Sequence, residues 1–201
     1  MKVIVQILLL VLFVLPVNGQ TGDNAWKPIF DGNDLEQWRV PKKNIWWSID
    51  NRTLWAKSDP DKIGSILWTK KSYTDFMVQM DFKFGEGVVD TGIYMRGDNP
   101  RNVQVQIGIS GSLKKDMTAS PYVPTLGYPV EASGVDALLD HKGWNTIRAM
   151  TIGNTYIVWL NGVEVMNYEL EKANLKGPIG LQLHPGNEMT VQFRNIMVNE
   201  L

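Results

Sequence analysis

The chain has 201 residues, 44% of them hydrophobic, with 20 Lys and Arg set against 21 Asp and Glu. That balance excludes the strongly basic surface of a nucleic-acid binder, and the absence of cysteine excludes disulfides, thiolate metal sites and a cysteine nucleophile. A length suited to one domain then leaves core burial as the source of stability.

Residues 1–19 carry the marks of a signal peptide. Lys2 is a short basic start, Val3 to Val17 is apolar, and Val17-Asn18-Gly19 places small residues for cleavage. The apolar run is shorter than the ~20 residues that cross a bilayer. The expectation is an exported protein, periplasmic or extracellular, with no stable membrane anchor. Residues 20–201 then form one domain, without repeats or a low-complexity linker.

Strand signals dominate from Trp46 onward. Asn51–Gly64 is polar and reads as irregular. Phe76 to Phe84 alternates with period two, burying the even-numbered residues, and reads as a plain outer strand. Gly92-Ile93-Tyr94-Met95-Arg96 and Val103-Gln104-Val105-Gln106-Ile107 alternate likewise. Ser110–Gly143 is long, holds Pro121, Pro124, Pro129 and two Tyr, and is expected to wall a binding site, with a short helix within Gly134–Asp140. Asn145–Ile152, Thr155–Leu160 and Val163–Met166 form a meander, its turns written as Gly153-Asn154 and Asn161-Gly162. Leu181-Gln182-Leu183-His184 completes the alternating segments. Many short strands between Gly, Pro and Asn turns imply an all-β sandwich or jelly roll.

The open faces of these strands carry Tyr94, Arg96, Gln104, Gln106, Gln182 and His184 rather than Lys, Glu, Thr and Ser. Amides offer both donor and acceptor, which suits hydroxyl-rich ligands. His184 is one of two His and the side chain best suited to take a proton near neutral pH. No strand pairs two carboxylates at the spacing an ordinary glycosidase uses. The oxygen-rich segments Asp31-Gly32-Asn33-Asp34, Asp59-Pro60-Asp61 and Asp98-Asn99 read as turns before they read as Ca²⁺ sites.

Several segments together resemble the 3-keto-disaccharide hydrolase domain family. They are Ile29-Phe30-Asp31-Gly32-Asn33-Asp34-Leu35 with Trp38, Tyr73-Thr74-Asp75-Phe76, Asp90 to Arg96, Gln104-Val105-Gln106, Gly143-Trp144-Asn145, Trp159-Leu160-Asn161-Gly162 and Gly177 to His184 through Phe193-Arg194-Asn195-Ile196. The resemblance implies a concanavalin A-like jelly-roll sandwich of two antiparallel sheets and activity on an oxidised di- or oligosaccharide. A ketone at C3 acidifies the C2 hydrogen, so one base suffices for elimination of the glycosidic oxygen, and water then adds back. Carried over by position, His184 is the base, Arg96 the enolate or hydroxyl clamp, and Tyr94, Gln104, Gln106, Gln182 and Trp144 are substrate contacts. The resemblance leaves a divalent cation open and assigns no metal ligands. One departure stands out: the family's strand commonly reads Glu-Val-Gln where this chain has Gln104-Val105-Gln106, which keeps a non-catalytic, lectin-like module as the alternative.

Overall fold

The computed structural model describes residues 26–99 and 101–201, so the signal-peptide expectation lies outside the described residues. In chain order the strands are β1 (Lys27–Phe30), β2 (Trp38–Arg39), β3 (Trp47–Asp50), β4 (Thr53–Lys57), β5 (Ser65–Tyr73), β6 (Phe76–Gly87), β7 (Asp90–Tyr94) and β8 (Gln104–Ser110). Then follow β9 (Lys115–Asp116), β10 (Pro121–Tyr122), the single helical turn α1 (Val135–Leu138), β11 (Asn145–Ile152), β12 (Thr155–Leu160), β13 (Val163–Glu169), β14 (Gly177–Leu183) and β15 (Met189–Glu200). Among the described residues these make two antiparallel sheets. One is ordered β13-β12-β11-β6-β15-β4-β3 with β1 beside β15, and the other β10-β8-β7-β14-β5-β2 with β9 beside β8.

The two sheets are joined by the side chains that alternation points inward. From β6 come Phe76, Val78, Met80 and Phe82, and from the other sheet Ile93, Val105, Ile107 and Leu181, each fully buried. Each is worth about 1.5–3 kcal/mol relative to exposure, so the shared core and not any one contact holds the sandwich closed. β6 alternates as expected, yet it is no outer strand: it lies between β11 and β15, central in its sheet.

The meander forms as the turns dictate. Asn161 and Gly162 both have positive φ, at 49° and 86°, the backbone a two-residue hairpin loop requires. The segment expected to be irregular, Asn51–Gly64, contains β4 instead, paired to both β3 and β15. Its hairpin turns on Asn51 and Arg52 at φ 48° and 57°. Arg is an unusual residue for that conformation, so the turn lacks its customary Gly signature.

Register places the outward side chains of the second sheet in rows. Arg39, Trp68, Gly180, Tyr94, Gln104 and Tyr122 are successive cross-strand partners from β2 to β10. The next row holds Gln182, Gly92 and Gln106. Asp90 lies one row further, at the start of β7, with His184 just past the end of β14.

Candidate functional site

The rows form the floor of a cleft of about 400 Å³ on the outer face of the second sheet, a volume typical of small-ligand sites. Asp90, Tyr94, Gln104, Gln106, Gln182 and His184 line it from the sheet. Ser110, Gly111, Ser112, Tyr122 and Tyr128 close it from the long segment after β8. That segment is the wall its length and aromatic content lead one to expect.

Two hydrogen-bonded groups organise the floor. Gln104 Nε2 donates to Gln182 Oε1 at 2.5 Å, and Gln182 Nε2 donates to the Tyr94 hydroxyl at 3.2 Å. The Gln104 side chain must cross β7 to do this, and it crosses over Gly92. A Cβ on Gly92 would stand 2.5 Å from Gln104 Nε2. In the second group, Gln106 Nε2 donates to Asp90 Oδ1 and the Gly111 backbone N–H donates to Asp90 Oδ2, both at 2.9 Å. Asp90 is 2% exposed, and these two donors offset the cost of burying its carboxylate.

His184 stands over Asp90. Its Nδ1 is 2.7 Å from the Pro185 carbonyl oxygen and 3.8 Å from Asp90 Oδ2. A carbonyl can only accept, so Nδ1 carries the proton and the neutral ring keeps its lone pair on Nε2. With 40% of its side chain exposed, His184 is accessible where Asp90 is not.

The tyrosines contribute neutral hydroxyls. Burial pushes Tyr94 up to about 12, with Asp98 and Tyr122 adding to the rise. Burial likewise pushes Tyr128 up to about 12, against the opposing effect of a hydrogen bond with Ser110. Both stay protonated at any physiological pH, available as donors to a ligand oxygen.

Arg96 is not at the cleft. The alternation stops at Tyr94, and the chain bends through Gly97, whose φ is 85°. The bend carries Arg96 into the end of the sandwich, fully buried. There Nε donates to Thr74 O at 2.7 Å, Nη1 to Gly153 O at 2.6 Å and Asn174 O at 3.1 Å, and Nη2 to Asp75 Oδ1 at 2.9 Å. The guanidinium is occupied with closing the fold, which removes the clamp role expected for it. Trp144 is also elsewhere. It lies at the start of β11 in the other sheet, beneath Arg194, whose guanidinium carbon is 4.0 Å from the ring centroid.

Asp90 escapes the reading of the sequence, while Tyr122 and Tyr128 are the two Tyr of the segment expected to wall the site. Asp90 had a usable signal, two residues before Gly92 on the same face; the tyrosines are placed by the path of their loop. The oxygen-rich turns bind their own chain: Asp31 accepts from Asn33, and Asp59 from Trp46, Ile63 and Gly64. Among the described residues no three His, Asp or Glu side chains converge on one point. In the cleft, Asp90 is the sole carboxylate of the lining, and each of its oxygens accepts a hydrogen bond from the protein.

Two antiparallel sheets packed face to face, with a polar cleft on one outer face, define a concanavalin A-like jelly roll. The family model described as the 3-keto-alpha-glucoside-1,2-lyase-like domain matches residues 25–199, and the chain belongs to that family. No curated relative matches the sequence. Among solved structures it is similar to a provisionally assigned glycosyl hydrolase from Parabacteroides distasonis, at 24% identity over 89% of this chain and 100% of that one, with a TM-score of 0.68. A β-glucanase from Bacillus licheniformis is 15% identical over 90% of this chain and all of the other, TM-score 0.60. A carbohydrate-binding module from Bacillus subtilis is 15% identical over 82% and 96%, TM-score 0.54. At these identities the likeness is one of fold.

Proposed function

We propose that the cleft binds carbohydrate and cleaves 3-keto-glycosides by proton abstraction at C2, elimination and hydration, in an exported protein. The observation that carries this reading is the single Asp90–His184 pair on a floor otherwise lined by amides and tyrosines. Ordinary glycoside hydrolysis uses two carboxylates across the scissile bond, whereas a 3-keto sugar needs one base. His184 Nε2 takes the C2 proton, and the electron pair passes into the C3 ketone as an enolate. The Asp90 carboxylate, 3.8 Å from Nδ1, stabilises the imidazolium that results.

Collapse of the enolate expels the glycosidic oxygen from C1, and a neutral Tyr128 hydroxyl is suited to protonate it. Water then adds at C1, its proton restoring the Tyr128 hydroxyl, and the His184 imidazolium returns its proton to C2, so the net change is hydrolysis. Gln104, Gln106 and Gln182 hold ring hydroxyls. The Gln104 and Gln106 amide oxygens have no donor among the described residues, so both can accept from a sugar.

A second reading, a non-catalytic carbohydrate-binding module, draws on the Gln104–Gln182–Tyr94 chain of neutral groups. Incubation with 3-keto-glycosides and their unoxidised parents, following aglycone release, separates the two. Release from the keto forms alone is expected. Saturable binding of sugar without release from any of them establishes the module instead.

A further inference from the structure

Six of the eight tryptophans can be sorted by what they touch, and one of them adjoins the cleft through Tyr94. Trp38 and Trp47 are buried, their indole N–H groups held by Ile29 O and Ser65 Oγ. Trp46 donates to Asp59, while Trp26 and Trp144 lie against Arg148 and Arg194. Trp68 differs from all of these. It points outward from β5 on the same face as the cleft floor, half-buried, in the row that leads through Gly180 to Tyr94. Its indole N–H has no acceptor among the described residues.

Two local features place this ring over Gly180 and against Tyr94. Gly180, its cross-strand neighbour, gives up its side-chain space to it: a Cβ there would stand 2.4 Å from Trp68 Cζ3. On the far side the ring meets Tyr94, with centroids 5.1 Å apart and planes at 46°. The backbone is adapted as well. The β5–β14 pairing is interrupted between Pro178 and Gly180, and the Thr69 side chain secures the irregularity by accepting from the Ile179 N–H at 3.0 Å and donating to Lys71 O at 2.7 Å. Such a bulge re-aims the adjacent side chain. Arg39 follows Trp68 in the row, exposed at the sheet edge, with a guanidinium nitrogen donating to Lys70 O at 3.1 Å.

We propose that Trp68, backed by Tyr94 and flanked by Arg39, is a second subsite that holds the leaving-group sugar ring. The inference rests on the carbohydrate reading of the cleft and adds to it the residues that would hold the second ring. A pyranose presents an apolar face of C–H groups to an aromatic plane and hydroxyls around its rim. The shelf supplies the plane, with the free indole N–H and the Arg39 guanidinium at its margin. The polar cleft beside it supplies amides and the ionisable pair. One ring over Asp90 and His184 and the next over Trp68 makes a disaccharide the shortest substrate that fills both.

The test compares wild type, Trp68→Ala and Trp68→Phe on three glycosides of one 3-keto sugar: methyl, glucosyl and aryl. Calorimetric titration with an unoxidised disaccharide and with its monosaccharide runs alongside, and circular dichroism verifies folding. Trp68→Ala is expected to lower kcat/KM for the glucosyl compound on the order of tenfold and leave the methyl glycoside unchanged. Trp68→Phe, which keeps an aromatic plane, is expected to retain most of the activity. Disaccharide affinity in the titration should fall by the same factor, with monosaccharide affinity unaffected. Equal losses on methyl and glucosyl substrates overturn the subsite, as does a loss confined to the aryl compound. Wild-type protein that binds neither sugar overturns the carbohydrate reading itself, a result distinct from either. If Trp68→Ala unfolds, Trp68→Phe and Gly180→Ser, which displaces the ring without removing it, make the same comparison.

Discussion

An arginine–carboxylate ion pair and a histidine–carboxylate pair flank strand β7, and the two could hardly be less alike. Just past the strand's end at Tyr94, Arg96 is sealed from solvent and its side chain makes four hydrogen bonds, one of them to Asp75. At its start, Asp90 is anchored by Gln106 and Gly111, while its partner His184 sits 3.8 Å away and 40% exposed. The first pair is saturated and so can only hold the fold together. The second leaves His184 accessible at an open cleft, as the proposed base role requires. Each end has one buried member, Arg96 or Asp90; what separates the two pairs is whether any hydrogen-bonding valence is left over.

The comparison can be broken most severely at the saturated end. Arg96→Met should cost about 3–5 kcal/mol of stability, the range for stripping one partner from a buried pair, read as a fall in thermal or denaturant midpoint. Arg96→Lys should recover little, because an ammonium cannot span acceptors arranged for a fork. At the open end the pattern reverses. His184→Ala should lower turnover of a 3-keto-glycoside at least ~100-fold while changing stability by no more than about 0.5 kcal/mol. Unchanged turnover would remove His184 from catalysis.

Between the ends, Gly92→Ala pushes a methyl group into Gln104 Nε2 and the Val105 carbonyl oxygen. Sugar affinity should fall about tenfold, with an overpacking cost of about 1–3 kcal/mol, measurable by calorimetry and denaturation. The smallest effect is electrostatic. Tyr94 and Tyr128, with pKa values raised to about 12, should ionise late in an absorbance titration. Because folding favours their protonated form, their stabilising contribution is present below pH ~10, the free tyrosine value, and is lost as pH climbs through about 12. Two tyrosines ionising near 10 in the folded protein would contradict the closed cleft wall.

Much of the fold was legible because alternation and turn chemistry agree. β6, β11 and β12 follow the period-two pattern, and the Asn161-Gly162 hairpin has the backbone its residues prefer. β4 was illegible because Asn51-Arg52 turns without glycine. In the cleft, the amides and His184 stand out as unusual side chains for a strand's open face. Asp90 does not, since it stands just ahead of the alternating segment that begins at Gly92. Arg96 was misplaced because alternation was extended past Tyr94, where the chain bends. Trp144 was misplaced because it was carried over on the Gly143-Trp144-Asn145 resemblance, which does not say which of the two sheets the segment adjoins.

The two glycines on the floor carry a practical consequence. Gly92 cedes its space to Gln104 and Gly180 cedes its own to Trp68, so the relief of the binding surface is moulded by side chains that are missing. Anyone redesigning selectivity therefore has two dials that touch no ligand: a small residue at either glycine reshapes the surface through its neighbour, and a library confined to the polar lining would never find them.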